Sequence, residues 1–158
     1  KTDTEHVLAN GESQGGALTL VAASLDKRIK AIAPSAPFLN DYQDYFKLAQ
    51  WPAEPIMNAA NEKGISYEDL HKTLSYFDVK NFTDRIQCPV IMAIGLQDPV
   101  CPPHTNFAGY NHIKAEKSWV PSKSCAASFM ASRSSFSSIT TTNRRSKTQG
   151  APEFHSRY

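Results

Sequence analysis

The stretch Val7-Leu8-Ala9-Asn10-Gly11-Glu12-Ser13-Gln14-Gly15-Gly16-Ala17-Leu18 decides how the chain is read. A short apolar run enters a Gly-x-Ser-x-Gly turn and a helical pattern leaves it, the strand-turn-helix setting of a nucleophile elbow. In so tight a turn, side chains two residues before and two after the serine would collide with neighbouring backbone. Gly11 and Gly15 are expected to remove those side chains. Ser13 is therefore the first candidate for a reactive atom.

Downstream of the turn, Leu18, Val21, Ala22 and Leu25 recur at i, i+3, i+4 and i+7, which predicts a helix over 14–25 with that stripe buried. Asp26-Lys27-Arg28 closes it, with cations near the negative end of the helix dipole. Ile29-Lys30-Ala31-Ile32-Ala33, stopped by Pro34, predicts a buried strand. Strand, helix and strand in about thirty residues make a βαβ unit, and such units build parallel sheets.

Residues 41–50, 54–63 and 67–76 then predict three short helices separated by Pro52, Pro55 and Gly64-Ile65-Ser66, an excursion above the sheet. Its aromatics, Phe38, Tyr42, Tyr45, Phe46, Trp51, Tyr67, Tyr76 and Phe77, either line a pocket or form the buried faces of those helices; the second reading is the commoner outcome. Asp78 opens another short helix to Arg85 as its N-cap. Cys88 to Gly95 is a continuous apolar run between Pro89 and Gly95, as in a strand buried on both faces. Asp98 follows at the carboxyl end of that strand, where catalytic groups gather in open α/β sheets. It is either a turn former before Pro99 or the acid partner of Ser13, and the order Ser then Asp favours the acid. Pro102-Pro103 opens a helix expected to reach about Lys117, with Phe107, Tyr110 and Ile113 on one side.

Length and composition agree with a single core. The chain has 158 residues, 41% of them apolar, and a formal charge of +2, too small to call for a nucleic-acid partner. No apolar run is long enough for a membrane span and the polar start is not a signal peptide, so no membrane association and a cytoplasmic location are the expectations. Cys88, Cys101 and Cys125 lack Cys-x-x-Cys spacing, which argues against a zinc site and against a disulfide framework. Charge shifts along the chain: residues 1–117 hold 11 Lys or Arg against 14 Asp or Glu, whereas 118–158 hold 6 against 1, with 11 serines. The expected division is a partial α/β domain over 1–117 and a Ser-rich basic tail over 118–158, disordered or out of frame.

The runs Gly11-Glu12-Ser13-Gln14-Gly15-Gly16, Leu74-Ser75-Tyr76-Phe77-Asp78-Val79, and Cys88 to Asp98 with Pro102-Pro103 and Tyr110-Asn111-His112 together resemble the acetyl xylan esterase and cephalosporin C deacetylase family of carbohydrate esterases. The resemblance covers about residues 5 to 117. It implies the three-layer α/β-hydrolase fold, of which only the C-terminal part from the elbow strand onward is expected here: a parallel sheet flanked by helices. It further implies a carboxylic ester hydrolase removing acetyl groups from acetylated xylan, xylo-oligosaccharides or cephalosporin-like substrates by a Ser-His-Asp mechanism. Ser13 matches the nucleophile, Asp98 the acid, and the backbone N–H of Gln14 an oxyanion-hole donor. No cofactor or metal is implied. The partner is an acetylated carbohydrate or another small acetyl ester, and a homo-oligomer is admitted.

Two features of that family have no counterpart in the sequence: the strands and Arg-Gly-Gln segment before the elbow, and the Gly-His-Glu run that holds the catalytic histidine. By chain order His155 is the candidate general base, although its surroundings do not carry the motif; His104 and His112 suit surface or core roles, and His6 a solvated flank. The strand over 7–10 is expected to be an open edge, and the chain an inactive, incomplete fragment of marginal stability. The alternatives are a non-catalytic α/β-hydrolase fragment and a serine peptidase of the prolyl oligopeptidase type, which shares the elbow.

Overall fold

A computed structural model describes residues 3–49 and 52–122. It contains β1 (Val7–Glu12), α1 (Gln14–Leu25), β2 (Ile29–Ser35), α2 (Tyr42–Leu48), α3 (Ala53–Glu62), α4 (Tyr67–Ser75), two single 3₁₀ turns (Val79–Asn81 and Thr83–Arg85), β3 (Val90–Gly95), α5 (Pro103–His112) and β4 (Lys117–Ser122). The strands are parallel and their spatial order is their chain order, β1-β2-β3-β4. Each crossover therefore steps the same way across the sheet. Right-handed crossovers then put the connecting helices on one face.

The core confirms that layering. Ile32 of β2 and Val90, Met92 and Ile94 of β3 pack with Ala17, Leu20 and Ala23 of α1, with Val79, Ile86 and Ile113, and with Phe107 and Tyr110 of α5. Val90, Met92 and Ile94 alternate along β3, so they share one face of the sheet. The described residues thus supply the parallel sheet and its helices from the elbow strand onward, as expected for this part of an α/β-hydrolase fold.

Five local expectations change. The buried face of α1 is Gly16, Ala17, Thr19, Leu20, Ala23 and Ser24, whereas Leu18 and Leu25 are 57% and 62% exposed. The helix is apolar nearly all round, so periodicity alone does not tell which face meets the sheet. Next, β2 runs through Pro34 to Ser35 rather than stopping there. Ile32 N–H donates to Pro89 O and Ala36 N–H to Ala93 O, so the donor that Pro34 lacks would have faced β3. On that side β2 pairs with β3 at Ile32–Val90 and Ser35–Ala93, while on the β1 side pairing is unbroken from Leu8–Ala31 to Glu12–Ser35. The proline costs one rung, not the strand.

The helix after Asp98 ends at His112, not near Lys117. Ile113 turns extended, and the Lys117 ammonium donates to the carbonyls of Tyr110, Asn111 and Ile113 at 3.0, 3.1 and 2.7 Å. A cation on the last carbonyls is a favourable helix stop. Lys117 then begins β4, which extends past 117 and beside β3.

The excursion has its three helices close to the expected places, but its aromatics divide. Tyr42 and Tyr45 are buried and Phe38 and Phe46 pack beside them, whereas Tyr67, Tyr76 and Phe77 are exposed. Trp51 lies outside the described residues. The helix expected over 78–85 is the pair of 3₁₀ turns, with Asp78 as N-cap accepting from Lys80 N–H at 3.0 Å.

Candidate active site

The turn after β1 is built around Ser13, which sits at φ 55° and ψ −119° between the last strand residue and the first helical one. Positive φ is costly for a residue with a Cβ, and it persists only where the surroundings enforce it. Three hydrogen bonds do so here. Ser13 N–H donates to Ser35 O at 3.0 Å, and Ser13 O accepts from Ala17 N–H and Phe38 N–H, each at 3.0 Å. The turn is thus tied both to β2 and to the loop that follows it.

Steric crowding completes the enforcement, though not at both glycines expected. A Cβ on Gly11 would lie 2.4 Å from the carbonyl carbon and oxygen of Gly15, so Gly11 is required. Gly15 itself has open space around it. The second required glycine is Gly16, whose Cβ would lie 2.7 Å from Ser35 O and 3.2 Å from Gly11 O. Sequence spacing pointed at Gly15 because the motif is symmetric about the serine; the structure is not, because α1 leans against the end of β2 at its third residue.

Gln14 begins α1 and is exposed. Its N–H is one of the first-turn donors for which a helix has no internal acceptor, and the helix dipole adds positive potential there. That suits a developing oxyanion beside Ser13.

Asp98 stands in the turn after β3, 6% exposed. One carboxylate oxygen, Oδ1, accepts from Val100 N–H at 2.9 Å and Cys101 N–H at 2.8 Å. The side chain lies against Gly95, where a Cβ would be 3.0 Å from the Cβ of Asp98. Tyr45 of α2 faces the same place: burial chiefly, with Cys101, Tyr42 and Asp98 adding to it, pushes its phenol up to about 12.

Ser13 and Asp98 both follow the carboxyl ends of their strands, β1 and β3, with β2 between them. Two strand spacings amount to roughly 10 Å. A histidine making hydrogen bonds of about 3 Å to each side would span such a gap. None of the described histidines is engaged there. His6 Nδ1 pairs with Asp3 at 2.7 Å on the surface, His104 Nε2 pairs with Asp44 at 2.8 Å, and His71 stacks on Tyr67 with centroids 4.1 Å apart. His112 is exposed at the far end of α5. His155 lies outside the described residues.

The loop over 36–41 links the two sides of the site, and the sequence did not single it out. Ala36, Leu39 and Asp41 all have positive φ, at 39°, 62° and 50°. The end of the loop is held by Asp78, 5% exposed, which accepts from Asp41 N–H and Tyr42 N–H at 2.9 Å each besides capping its own turn. Lys80 in turn pairs with Asp41. The legible signal was only the N-cap; its reach across 37 residues was not.

Asp41, Asp44 and His104 place ligand atoms within 4.8 Å of one another. Lys80 occupies Asp41, and Lys47 together with His104 occupies Asp44, so the group reads as an ion-pair network joining α2 to α5. No helix among the described residues is long and apolar enough to cross a membrane.

Comparison with known proteins places the chain closely. A family model described as acetyl xylan esterase (AXE1) matches residues 1–131. The acetyl esterase Axe7A of Xylanibacter ruminicola is 39% identical over 115 residues, covering 73% of this chain and 26% of that protein. The solved structure of acetyl xylan esterase from Paenibacillus sp. R4 superposes with a TM-score of 0.80 at 34% identity, covering 89% of this chain and 46% of the other. Acetyl xylan esterase 1 from a Thermoanaerobacterium species superposes with 0.69 at 36% identity, covering 76% and 39%. The chain therefore spans about a quarter of the curated relative and less than half of each of these two esterases.

Proposed function

Because the chain belongs to the acetyl xylan esterase family and shares its α/β-hydrolase fold, we propose that it carries the nucleophile and the acid of a serine carboxylic ester hydrolase acting on acetyl esters. The observation that carries this reading is the positive φ of Ser13 at a strand-to-helix turn, enforced by Gly11 and Gly16. A strained serine presented at a helix N-terminus is the arrangement acyl transfer uses.

In the proposed reaction Ser13 Oγ attacks the acetyl carbonyl carbon and the carbonyl electron pair moves onto oxygen. Gln14 N–H and the start of α1 stabilise that oxyanion. A histidine oriented by Asp98 takes the Ser13 proton and passes it to the departing sugar alcohol. Water, deprotonated by the same histidine, then attacks the acetyl-Ser13 ester and releases acetate. The chemistry needs neither metal nor organic cofactor. The proposed substrates are acetylated xylan, xylo-oligosaccharides or cephalosporin-like acetyl esters, in keeping with the names of the relatives. The general base is not assigned, with His155 the candidate by chain order, and the 158-residue chain by itself is proposed to turn over slowly or not at all.

The nucleophile can be tested without turnover. Incubation with p-nitrophenyl acetate, with imidazole added as an external base, should place an acetyl group on Ser13 in peptide mass spectra, and Asp98→Asn should not remove it. Acetylation confined to lysines would overturn the assignment.

A further inference from the structure

Between the loop over 36–41 and α5 lies a group of buried amides that the reaction does not use. Asn40 is 1% exposed and Asn106 is fully buried. Neither the Oδ1 nor the Nδ2 of Asn40 has a hydrogen-bond partner among the described residues, and neither does Asn106 Oδ1. Turning the Asn40 amide over exchanges two unpartnered atoms and satisfies neither. Turning Asn106 would break the bond its Nδ2 donates to Cys101 O at 3.0 Å.

The two amides are neighbours through Gly109. A Cβ at Gly109 would lie 2.6 Å from Asn40 Oδ1 and 2.7 Å from its Nδ2, so Asn40 rests on that turn of α5. Asn106 is three residues earlier on the same helix, hence on the same face. Leaving a buried polar group unmatched costs about 1–3 kcal/mol each. Three such atoms at neighbouring positions of one helix face can share a partner. A single water makes about three hydrogen bonds in a protein interior and has the right mix of donors and acceptors.

We propose that Asn40 and Asn106 hold one internal water and that, together with Gly109, they are positioning residues for Asp98. The link is short and fully polar. Asn106 holds Cys101 by its carbonyl, and the N–H of the same Cys101 holds Asp98 Oδ1 at 2.8 Å. The water extends this chain to Asn40, and Asn40 belongs to the loop whose Phe38 N–H is bonded to Ser13 O. The amides therefore set the Asp98 turn against the Ser13 turn. This role rests on Asp98 being the acid of the proposed reaction, but its test reads the carboxylate directly.

The test is solution NMR on the isotopically labelled 158-residue chain. The expected result is a cross-peak from a long-lived water to the Asn40 side-chain amide protons. Asn106→Leu should erase that peak, speed hydrogen exchange of Cys101 N–H at least tenfold, and shift the Asp98 carboxyl carbon signal, while Ile94 N–H exchange stays unchanged. Asn40→Ala should lose the water yet keep Cys101 protected. If Asn106→Leu does not fold, Asn106→Asp, which keeps the shape but offers no donor to Cys101 O, carries the exchange measurement. Absence of the water peak in the unmodified chain overturns the water. Unchanged Cys101 exchange and Asp98 signal in the Asn106 variants overturn the positioning role. Failure of Asp98 as the acid would instead appear as an Asp98→Asn variant that hydrolyses esters normally once residues 3–122 replace the matching segment of the Paenibacillus esterase, with these signals intact in the 158-residue chain.

Discussion

The turns after β1 and after β3 hold their residues by different means. At Ser13 the geometry is set by contact: Gly11 and Gly16 are where backbone approaches too closely for any side chain, and a residue with a Cβ is kept at φ 55°. At Asp98 the geometry is set by hydrogen bonds: two backbone N–H groups converge on one carboxylate oxygen, and Asn106 secures the carbonyl of the second. Steric enforcement is unforgiving of one added atom but indifferent to chemistry. Polar enforcement tolerates shape changes that keep the acceptor. The nucleophile role proposed for Ser13 suits the first, and the orienting role proposed for Asp98 suits the second.

The largest expected effect is at the crowded glycines. Gly11→Ala should destabilise the chain by about 3 kcal/mol or more, and Gly16→Ala by a similar or slightly smaller amount, in chemical denaturation. Gly15→Ala, at the open position, should be neutral or stabilise by about 0.5–1 kcal/mol, as alanine replaces glycine in a helix. Equal losses at Gly15 and Gly16 would break the steric account. At the other turn, Asp98→Ala should cost about 2 kcal/mol because two N–H groups, that of Cys101 buried, lose their acceptor. Asp98→Asn should cost less than about 1 kcal/mol, since an amide oxygen can still accept from both; a large loss with asparagine would mean that charge rather than hydrogen bonding holds the turn.

These contrasts also mark what the sequence disclosed. Strand, elbow and helix were legible because Gly-x-Ser-x-Gly between an apolar run and a helical period has few other readings. Asp98 was legible because it follows a strand bounded by Pro89 and Gly95. The buried face of α1 was not, since Leu18, Val21 and Leu25 are as apolar as Ala17, Leu20 and Ala23, and only the sheet decides between them. Gly16 was hidden by the symmetry of the motif, Asp78 because its partners are 36 and 37 residues away, and the end of α5 because it depends on a lysine seven residues past Tyr110.

That lysine gives the next effect in size. Lys117→Met should fray the end of α5, which carries Asn106, and cost about 1 kcal/mol, visible as faster amide exchange at Asn111 and His112. The smallest effect is a pH dependence at the other end of α5. The Lys47 ammonium first, and then His104, holds the Asp44 carboxyl below its usual value. A carboxyl depressed in the folded state stabilises above its ordinary range and loses that contribution as pH falls through its folded value. Between pH 5 and 3 the melting temperature of the unmodified chain should fall slightly more than that of Asp44→Asn, and the difference should shrink in high salt because all three groups are exposed.

The central claim is that residues 3–122 contribute a working nucleophile and acid to an acetyl esterase. It is tested most directly by grafting them into the Paenibacillus esterase in place of its matching segment and measuring acetate release from acetylated xylo-oligosaccharide. The account predicts a hydrolytic graft whose rate falls roughly 10⁴-fold or more with Ser13→Ala and comparably with Asp98→Asn. A folded, active graft indifferent to Ser13→Ala would contradict it.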